Sequence, residues 1–189
     1  MYIVLLLGLG AMLPNLASAA PENALSLGAG ATLFGTGSGL QTAPTLTAQY
    51  GLRLGGGHLG IDTQIASAFA RLQNQDHSAT QLSGSLIGSY YPFANGSSPY
   101  ISLGLGASSN EFASSNRDTS LMGVFGLGYE QRLSDHWGLR VGLQDQLLFH
   151  TPRAVNGPLN DLQVTGGISY FWGGDKERSA FPIISSEKR

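Results

Sequence analysis

Cysteine is absent from this chain of 189 residues, and charged residues make up only 12% of it. Without cysteine, disulfide bonds, thiolate metal sites and cysteine nucleophiles are excluded. Typical soluble domains carry about 25% charged residues, so this chain has too few for an ordinary water-facing surface. The formal net charge is −2, and basic residues cluster nowhere except at Lys188–Arg189, which argues against binding to nucleic acid.

Long hydrophobic runs are scarce as well, and no period of about 3.6 residues, the mark of an amphipathic helix, follows residue 20. The apolar run Tyr2–Leu13 is shorter than the roughly 20 residues that a membrane-spanning helix needs. It leads to Ala17-Ser18-Ala19, an A-x-A cleavage pattern. The sequence therefore predicts a signal peptide over residues 1–19, one folded domain over 20–174 and a flexible periplasmic tail over 175–189.

Eight stretches of alternating apolar and polar residues fill the predicted domain. In DLQVTGGISYFWGG (Asp161–Gly174), Leu162, Val164 and Ile168 share one face, and the polar residues lie on the other. A period of two indicates a strand with two unlike faces. The other seven stretches span residues 24–34, 45–54, 58–70, 80–91, 100–109, 119–132 and 137–149. Each is roughly the length that a tilted strand needs to cross a bilayer.

Three features indicate that the apolar faces meet lipid. The polar faces carry glycine, serine, threonine and glutamine rather than the lysine and glutamate of a soluble surface. Short connections alternate with longer polar ones, as periplasmic turns alternate with extracellular loops in outer-membrane barrels. Amphipathic aromatic rings collect at one end of strands four to eight, where they would form a membrane-interface girdle: Tyr90, Tyr100, Tyr129, Trp137, Tyr170 and Trp172.

The pattern therefore predicts an all-β fold, an eight-stranded antiparallel up-and-down transmembrane β-barrel. One residue conflicts with the pattern, because Asp145 falls on the apolar side of the seventh strand. A position near the membrane edge, or a bulge that shifts the register, would explain it. The alternative fold is a soluble lipocalin-like or streptavidin-like barrel, whose apolar face would turn inward around a ligand.

Charged residues on the polar faces are expected to form a network inside the barrel. Glu130 and Arg140 should be neighbours across the tight turn Ser134–His136, and both should face the lumen. Arg132 and Arg53 lie at a similar depth, and Asp62 lies further up. Buried charges must be paired. The network is interpreted either as a polar core that holds the barrel shut or as the gate of a narrow pore.

Parts of the chain also resemble the OmpA-like outer-membrane barrels. NDLQVTGGISYFWG (Asn160–Gly173) resembles their closing strand, and PYISLGLG (Pro99–Gly106) and YEQRLSDHWGLRVGLQ (Tyr129–Gln144) resemble their fifth strand and their sixth-to-seventh hairpin. The resemblance implies an outer-membrane location, a lumen plugged by charged side chains, no cofactor, and as partners outer-membrane lipid, lipopolysaccharide and the barrel-assembly machinery.

Two departures from that family stand out. Phe171 occupies a position where the closing strand usually has a basic residue. Many family members also carry a peptidoglycan-binding domain after the barrel, whereas only a short tail follows here, so a wall-anchoring role is not implied.

The four histidines raise the possibility of a lipid-modifying enzyme. His150 is followed by Thr151 and Pro152, without the serine two residues on that lipid A deacylase-like barrels use as nucleophile. Neither His150 nor the other three, His58, His77 and His136, has a paired spacing suited to a metal. We therefore expect no catalysis and no metal site, with a lipid-modifying barrel as the alternative function.

Overall fold

The computed structural model describes residues 21–35, 40–71, 78–93, 97–112, 117–149 and 159–174. The predicted signal peptide, residues 1–19, and the predicted tail, residues 175–189, lie outside these ranges. Eight strands occur in the described residues: β1 Glu22–Leu33, β2 Ala43–Leu54, β3 Leu59–Arg71, β4 Ser78–Tyr90, β5 Ser97–Phe112, β6 Arg117–Arg132, β7 Trp137–Phe149 and β8 Leu159–Gly173.

The strands form a closed barrel. Each strand pairs antiparallel with the next along the chain, and β8 pairs antiparallel with β1, so that Glu22 lies opposite both Arg53 and Gly173. The all-β, eight-stranded, antiparallel up-and-down barrel predicted from the alternation is confirmed. No helix in the described part of the chain is long and apolar enough to span a membrane.

Short connections lie at one end of the barrel, which we call the turn end. Between β2 and β3 the chain makes a single 3-10 turn, Gly55–Gly57, where Gly56 and Gly57 have φ values of 70° and 96°. Residues other than glycine rarely adopt such φ values. Between β6 and β7, the amides of Leu133 and Ser134 donate to the carbonyl oxygen of Trp137. The opposite end of the barrel is called the loop end.

The register of the pairs shows how far the strands tilt. A path through paired residues that starts at Glu22 returns to β1 at Thr32, ten positions further along the same strand, after passing Arg53, Gly60, Ser89, Ser102, Gly126, Gln144 and Gln163. This stagger belongs to a barrel whose strands tilt by about 35–45°. An eight-stranded barrel of this kind has an interior just wide enough for side chains.

Apolar side chains face outward and polar ones inward. Leu103, Leu139 and Ile168 are 70%, 45% and 55% exposed, whereas Gln144 and Gln163 are buried. The soluble barrel considered as an alternative is therefore wrong, because its apolar face would line the interior.

Asp145 also lies on the outer face. The pairing of Gln144 with Gln163, of Asp145 with Leu162 and of Gln146 with Asp161 is continuous. The register therefore does not shift at Asp145, and the bulge proposed from the sequence is wrong.

The interior changes in character from the turn end to the loop end. Charged and aromatic side chains fill the turn end. Buried glutamines lie in the middle, next to a small apolar cluster made of Ile87, Met122, Val124 and Leu148. Met122 and Val124 interrupt the polar alternation in the sequence because they are inward-facing members of this cluster. A cluster of buried alanines lies near the loop end, at Ala43, Ala68, Ala70 and Ala79.

The position of the apolar face predicts how an added charge affects stability. Leu103→Arg should lower the free energy of unfolding from lipid vesicles by about 2–4 kcal/mol, because it places a cation near the middle of the apolar band. Leu33→Arg, at the loop end of β1, should cost about 0–1 kcal/mol, because its side chain reaches the interface. Reversible denaturant unfolding monitored by tryptophan fluorescence measures both values. An equal or smaller cost for Leu103→Arg would contradict the outward orientation.

Candidate functional site

All five charged residues predicted to face the lumen lie inside the barrel near its turn end. The most exposed of them, Arg132, is 9% exposed, and Asp62 is 1% exposed. Their positions follow from the strand ends. Arg53 is the last residue but one of β2, and Arg132 is the last residue of β6. Asp62 and Arg140 each lie three residues after the start of their strands, β3 and β7. Because the strands tilt, these residues lie at a similar height along the barrel axis.

Arg53 is hydrogen-bonded to two carboxylates. Its Nη1 donates to Oδ1 of Asp62 at 2.7 Å, and its Nη2 donates to Oε2 of Glu130 at 3.2 Å. The other oxygen of Asp62 accepts a hydrogen bond from Oγ of Ser89 at 3.0 Å. Arg53 thus links β2 to β3 and, across the lumen, to β6.

Arg140 is held more loosely by the same two carboxylates. It lies opposite Glu130 in the β6–β7 register, as the tight turn predicts. Its closest approaches are 3.7 Å to Oε2 of Glu130 and 3.9 Å to Oδ2 of Asp62. Its Nε donates to the hydroxyl of Tyr100 at 3.1 Å, and its Nη1 has no hydrogen-bond partner among the described residues.

Arg132 belongs to a second, separate ion pair. Its Nη1 donates to Oε1 of Glu22 at 2.8 Å, and its Nη2 donates to Oε2 of the same carboxylate. Glu22 is missing from the predicted network because β1 begins at Glu22, two residues before the first stretch of alternation at Ala24. A two-pronged contact of guanidinium with carboxylate is among the strongest ionic hydrogen bonds in proteins.

An aromatic ring lies under each of the three arginines. The guanidinium carbons of Arg53, Arg132 and Arg140 lie 4.6, 3.8 and 4.3 Å from the ring centroids of Tyr91, Phe171 and Tyr100, in that order. Attraction between a cation and the face of a ring is worth about 2 kcal/mol per pair when the pair is desolvated. The rings therefore help to fix the arginines inside the barrel.

Tyr100 is a correction to the predicted girdle. It is 4% exposed and points into the lumen, because Ile101 and Leu103 face outward and the alternation of β5 turns its even-numbered residues inward. Two glycines make room for the ring. A Cβ at Gly128 would lie 2.5 Å from the Tyr100 ring, and one at Gly142 would lie 2.7 Å from its hydroxyl.

Phe171 takes part in the turn-end ion pair rather than in lipid contact. Its side chain is fully buried, and the guanidinium of Arg132 covers its ring. The family resemblance leads one to expect a basic residue here. In this barrel β6, on the other side of β7, supplies the basic group, and an aromatic ring on β8 supports it.

The five other girdle residues lie on the outer face at the turn end. Each is partly exposed: Tyr90, Tyr129, Trp137, Tyr170 and Trp172, at 37–51%. Trp137 and Trp172 flank Tyr170 at centroid distances of 5.0 and 5.9 Å, and Tyr50 extends the row beyond Trp172 at 6.2 Å. Tyr50 was not part of the predicted girdle because it lies within the apolar face of β2 and not at a strand end. A membrane-interface role for this aromatic row stays a prediction.

The two described histidines, His58 and His136, hydrogen-bond to the backbone at the turn end. Nδ1 of His58 hydrogen-bonds to the carbonyl oxygen of Tyr91 at 2.9 Å, and Nδ1 of His136 to that of Phe171 at 3.0 Å. His77 and His150 lie outside the described residues. No group of three metal-ligating side chains occurs in the part of the chain that the structure describes.

Taken together, these groups form what we call the plug: Glu22, Arg53, Asp62, Glu130, Arg132 and Arg140, with the rings of Tyr91, Tyr100 and Phe171. Three arginines balance three carboxylates, so the plug carries no formal net charge. A cavity of about 20 Å³ lies beside it on the loop-end side, bordered by Arg140, Gln49 and Gln144.

Several solved structures share the fold of this chain. Neisserial surface protein A matches with a TM-score of 0.59 and 12% identity, covering 81% of this chain and 98% of that one. Ail from Yersinia pestis, solved with the heparin analogue sucrose octasulfate, matches with a TM-score of 0.57 and 12% identity, covering 80% and 99%. OprG from Pseudomonas aeruginosa matches with a TM-score of 0.53 and 11% identity, covering 82% and 95%. At such identities the likeness shows the fold alone.

A family model of known proteins covers nearly the whole chain. No curated protein sequence matches the chain. The model described as "Outer membrane protein beta-barrel domain" matches residues 3–173. The outward apolar face, the closed sheet and this match agree, and they confirm the predicted outer-membrane location. The chain belongs to the outer-membrane β-barrel family.

Proposed function

We propose that this protein is an integral outer-membrane barrel whose lumen is sealed by the plug, and that its role is structural. The observation that carries the proposal is the pairing of three buried arginines with three buried carboxylates across the turn end. The interior of an eight-stranded barrel is only wide enough for side chains, so a filled cross-section leaves no path for a solute.

A narrow pore is the second candidate, and one observation favours it. Arg140 makes only long contacts with Glu130 and Asp62, whereas Arg53 holds Asp62 at 2.7 Å. The cavity of about 20 Å³ beside Arg140, room for about one water molecule, allows its guanidinium a small movement away from Glu130. Such a movement would open the loosest side of the plug and leave the Arg53–Asp62 pair in place.

Catalysis has no comparable support, and we propose that the barrel is not an enzyme. Nδ1 of His58 and Nδ1 of His136 each donate to a backbone carbonyl oxygen, so Nε2 is the nitrogen of each ring that could act as a base. Within the described part of the chain, neither ring is hydrogen-bonded to a serine or threonine hydroxyl, the arrangement that a nucleophilic mechanism needs. Mass spectrometry of lipid A from cells with and without the protein checks this. A difference in acyl-chain number would contradict it.

Single-channel recording tests whether the plug seals the lumen. The wild-type barrel should be silent in planar bilayers. Glu130→Ala removes the closest carboxylate contact of Arg140 and gives the plug a net positive charge, so a narrow pore should then show brief, anion-preferring openings. Ser26→Ala is the control, because it removes an interior hydroxyl paired with Ser169 at 2.7 Å and changes no charge.

The outcomes of the recording separate the two roles. Steady current through the wild-type barrel would contradict a sealed lumen. Silence of a folded Glu130→Ala barrel would reject the pore and leave the structural role. Heat-modifiable gel mobility shows whether each variant is folded.

Double-mutant cycles test whether the plug consists of two independent parts. Arg53→Met and Asp62→Asn should show a coupling free energy of about 0.5–3 kcal/mol, because the two residues are in direct contact. Glu22→Gln and Asp62→Asn should be additive within about 0.5 kcal/mol, because they share no ion-pair partner. Denaturant unfolding from vesicles gives the values. A large coupling between Glu22 and Asp62 would show one continuous network instead.

A further inference from the structure

A hydrogen bond crosses the lumen near the loop end. Nε2 of Gln81 on β4 donates to Oδ2 of Asp161 on β8 at 3.1 Å. The backbone amide of Gly35, two residues after the end of β1, donates to Oδ1 of the same carboxyl group at 3.1 Å. β4 and β8 are four strands apart in the ring of eight, so they lie on opposite sides of the barrel. Because Asp161 is 1% exposed and Gln81 is 4% exposed, the two side chains meet inside the barrel and span its width.

Apolar side chains are buried on both sides of this bond. On the side of β2 and β3, Phe34 and Leu40 pack against the cluster of buried alanines near the loop end. On the side of β6 and β7, Met122 and Leu148 belong to the small apolar cluster, and Leu148 lies two residues beyond the β7 partner of Asp161. The bond between β4 and β8 therefore bridges the gap between two apolar parts of the interior.

Asp161 differs from the carboxylates of the plug in its partners. Glu22, Asp62 and Glu130 each pair with an arginine, whereas Asp161 takes part in no ion pair within the described residues. A contact between two charged groups gains from their direct attraction, and a contact with a neutral amide lacks that gain. The bond across the loop end should therefore open more readily than the ion pairs of the plug.

We propose that Asp161, the side chain of Gln81 and the amide of Gly35 form a latch that closes the lumen at its loop end. When the amide group of Gln81 turns away, Asp161 stays bonded to Gly35 and a passage opens beside β4. Small solutes from the loop end then reach the polar middle of the lumen, where the plug stops them. The latch goes beyond the proposed seal, because it is a second closure that opens without the plug and leaves the plug to limit conductance.

The absence of cysteine from the chain allows the latch to be tested by thiol labelling. Ser83 lies on the inward face of β4, two residues from Gln81 toward the turn end, and it is 6% exposed. In Ser83→Cys, a water-soluble methanethiosulfonate that enters from the loop end has to pass the latch to reach the thiol. The rate of labelling of the intact protein in lipid nanodiscs, followed by mass spectrometry, measures how often the latch is open.

Three further substitutions, each combined with Ser83→Cys, change the latch at nearly constant side-chain size. Gln81→Met removes the donor and should make labelling about tenfold faster, which corresponds to about 1.4 kcal/mol for the lost hydrogen bond. Asp161→Leu removes both bonds and should speed labelling at least as much. Asp161→Asn should stay within about twofold of the parent, because its oxygen accepts from Gly35 and its amide group donates to the oxygen of a turned Gln81.

Two controls, also combined with Ser83→Cys, make the test specific. Gln163→Met exchanges the same side chains two residues from Asp161, at a glutamine whose Oε1 has no hydrogen-bond partner among the described residues, and should label like the parent. Glu130→Ala loosens the plug and should also label like the parent, because the reagent arrives from the loop end. The latch test and the conductance test can therefore fail separately.

Four outcomes would overturn the proposal. They are labelling of Gln81→Met and Asp161→Leu no faster than that of the parent, including no reaction in any of them; labelling of Asp161→Asn as fast as that of Asp161→Leu; and an increase in Gln163→Met, or in Glu130→Ala, as large as that in Gln81→Met. Heat-modifiable gel mobility shows which variants are folded. Either Gln81→Met or Asp161→Leu is sufficient if the other does not fold.

Discussion

Closure of the sheet is the constraint on which the rest of the structure depends. Backbone amides and carbonyls cannot remain unpaired in hydrocarbon, so a spanning sheet has to join its last strand to its first. Here Glu22–Leu33 pairs with β8 along its whole length. With eight strands and a stagger of ten residues, the interior is too narrow for anything but side chains. Charged groups that turn inward must therefore be paired within the barrel, and the plug is the consequence.

The plug combines a rigid part and a loose part. Arg53 and Arg132 each make hydrogen-bonded ion pairs, and each lies on an aromatic ring. Arg140 has its ring and a tyrosine hydroxyl, but its carboxylate contacts are long. Buried ion pairs contribute little net stability when compared with apolar packing, although breaking one is costly. The plug therefore supports the proposed seal of the lumen better than it supports an especially stable barrel, and Arg140 is the most loosely held of its three arginines.

The strands, and the direction in which most of their side chains point, were predictable from the sequence because a period of two is a local signal. β7 matches its predicted bounds, and the two ends of the other strands differ from prediction by at most three residues. The neighbours Glu130 and Arg140 were predictable because a tight turn fixes the register between β6 and β7. The alternation of apolar and polar residues also placed Asp145 on the apolar face. Only the continuous register showed that no bulge turns it away from the outer surface.

The features that could not be predicted from the sequence depend on contacts across the barrel. Glu22 and Arg132 are 110 residues apart in the sequence, and Arg53 and Glu130 are 77 apart, so no local pattern pairs them. Tyr100 was placed in the girdle because it is an aromatic residue at a strand end. The alternation of β5 turns its side chain inward, and the space left by Gly128 and Gly142 lets its ring lie under Arg140. The apolar side chains of Met122 and Val124 on an inward face are likewise explained only by their packing with Ile87 on β4 and Leu148 on β7.

The measurement that tests the central claim most directly uses the absence of cysteine from the chain. Spin labels at Leu103→Cys and Gln163→Cys, each introduced singly, can be compared in lipid vesicles by their collision rates with oxygen, which concentrates in hydrocarbon, and with a water-soluble nickel complex. The label at position 103 should collide often with oxygen and rarely with nickel, and the label at position 163 should be shielded from both. A label at position 103 that met the nickel complex freely, or one at position 163 that collided with oxygen as often as a lipid-facing label, would contradict the outward apolar face.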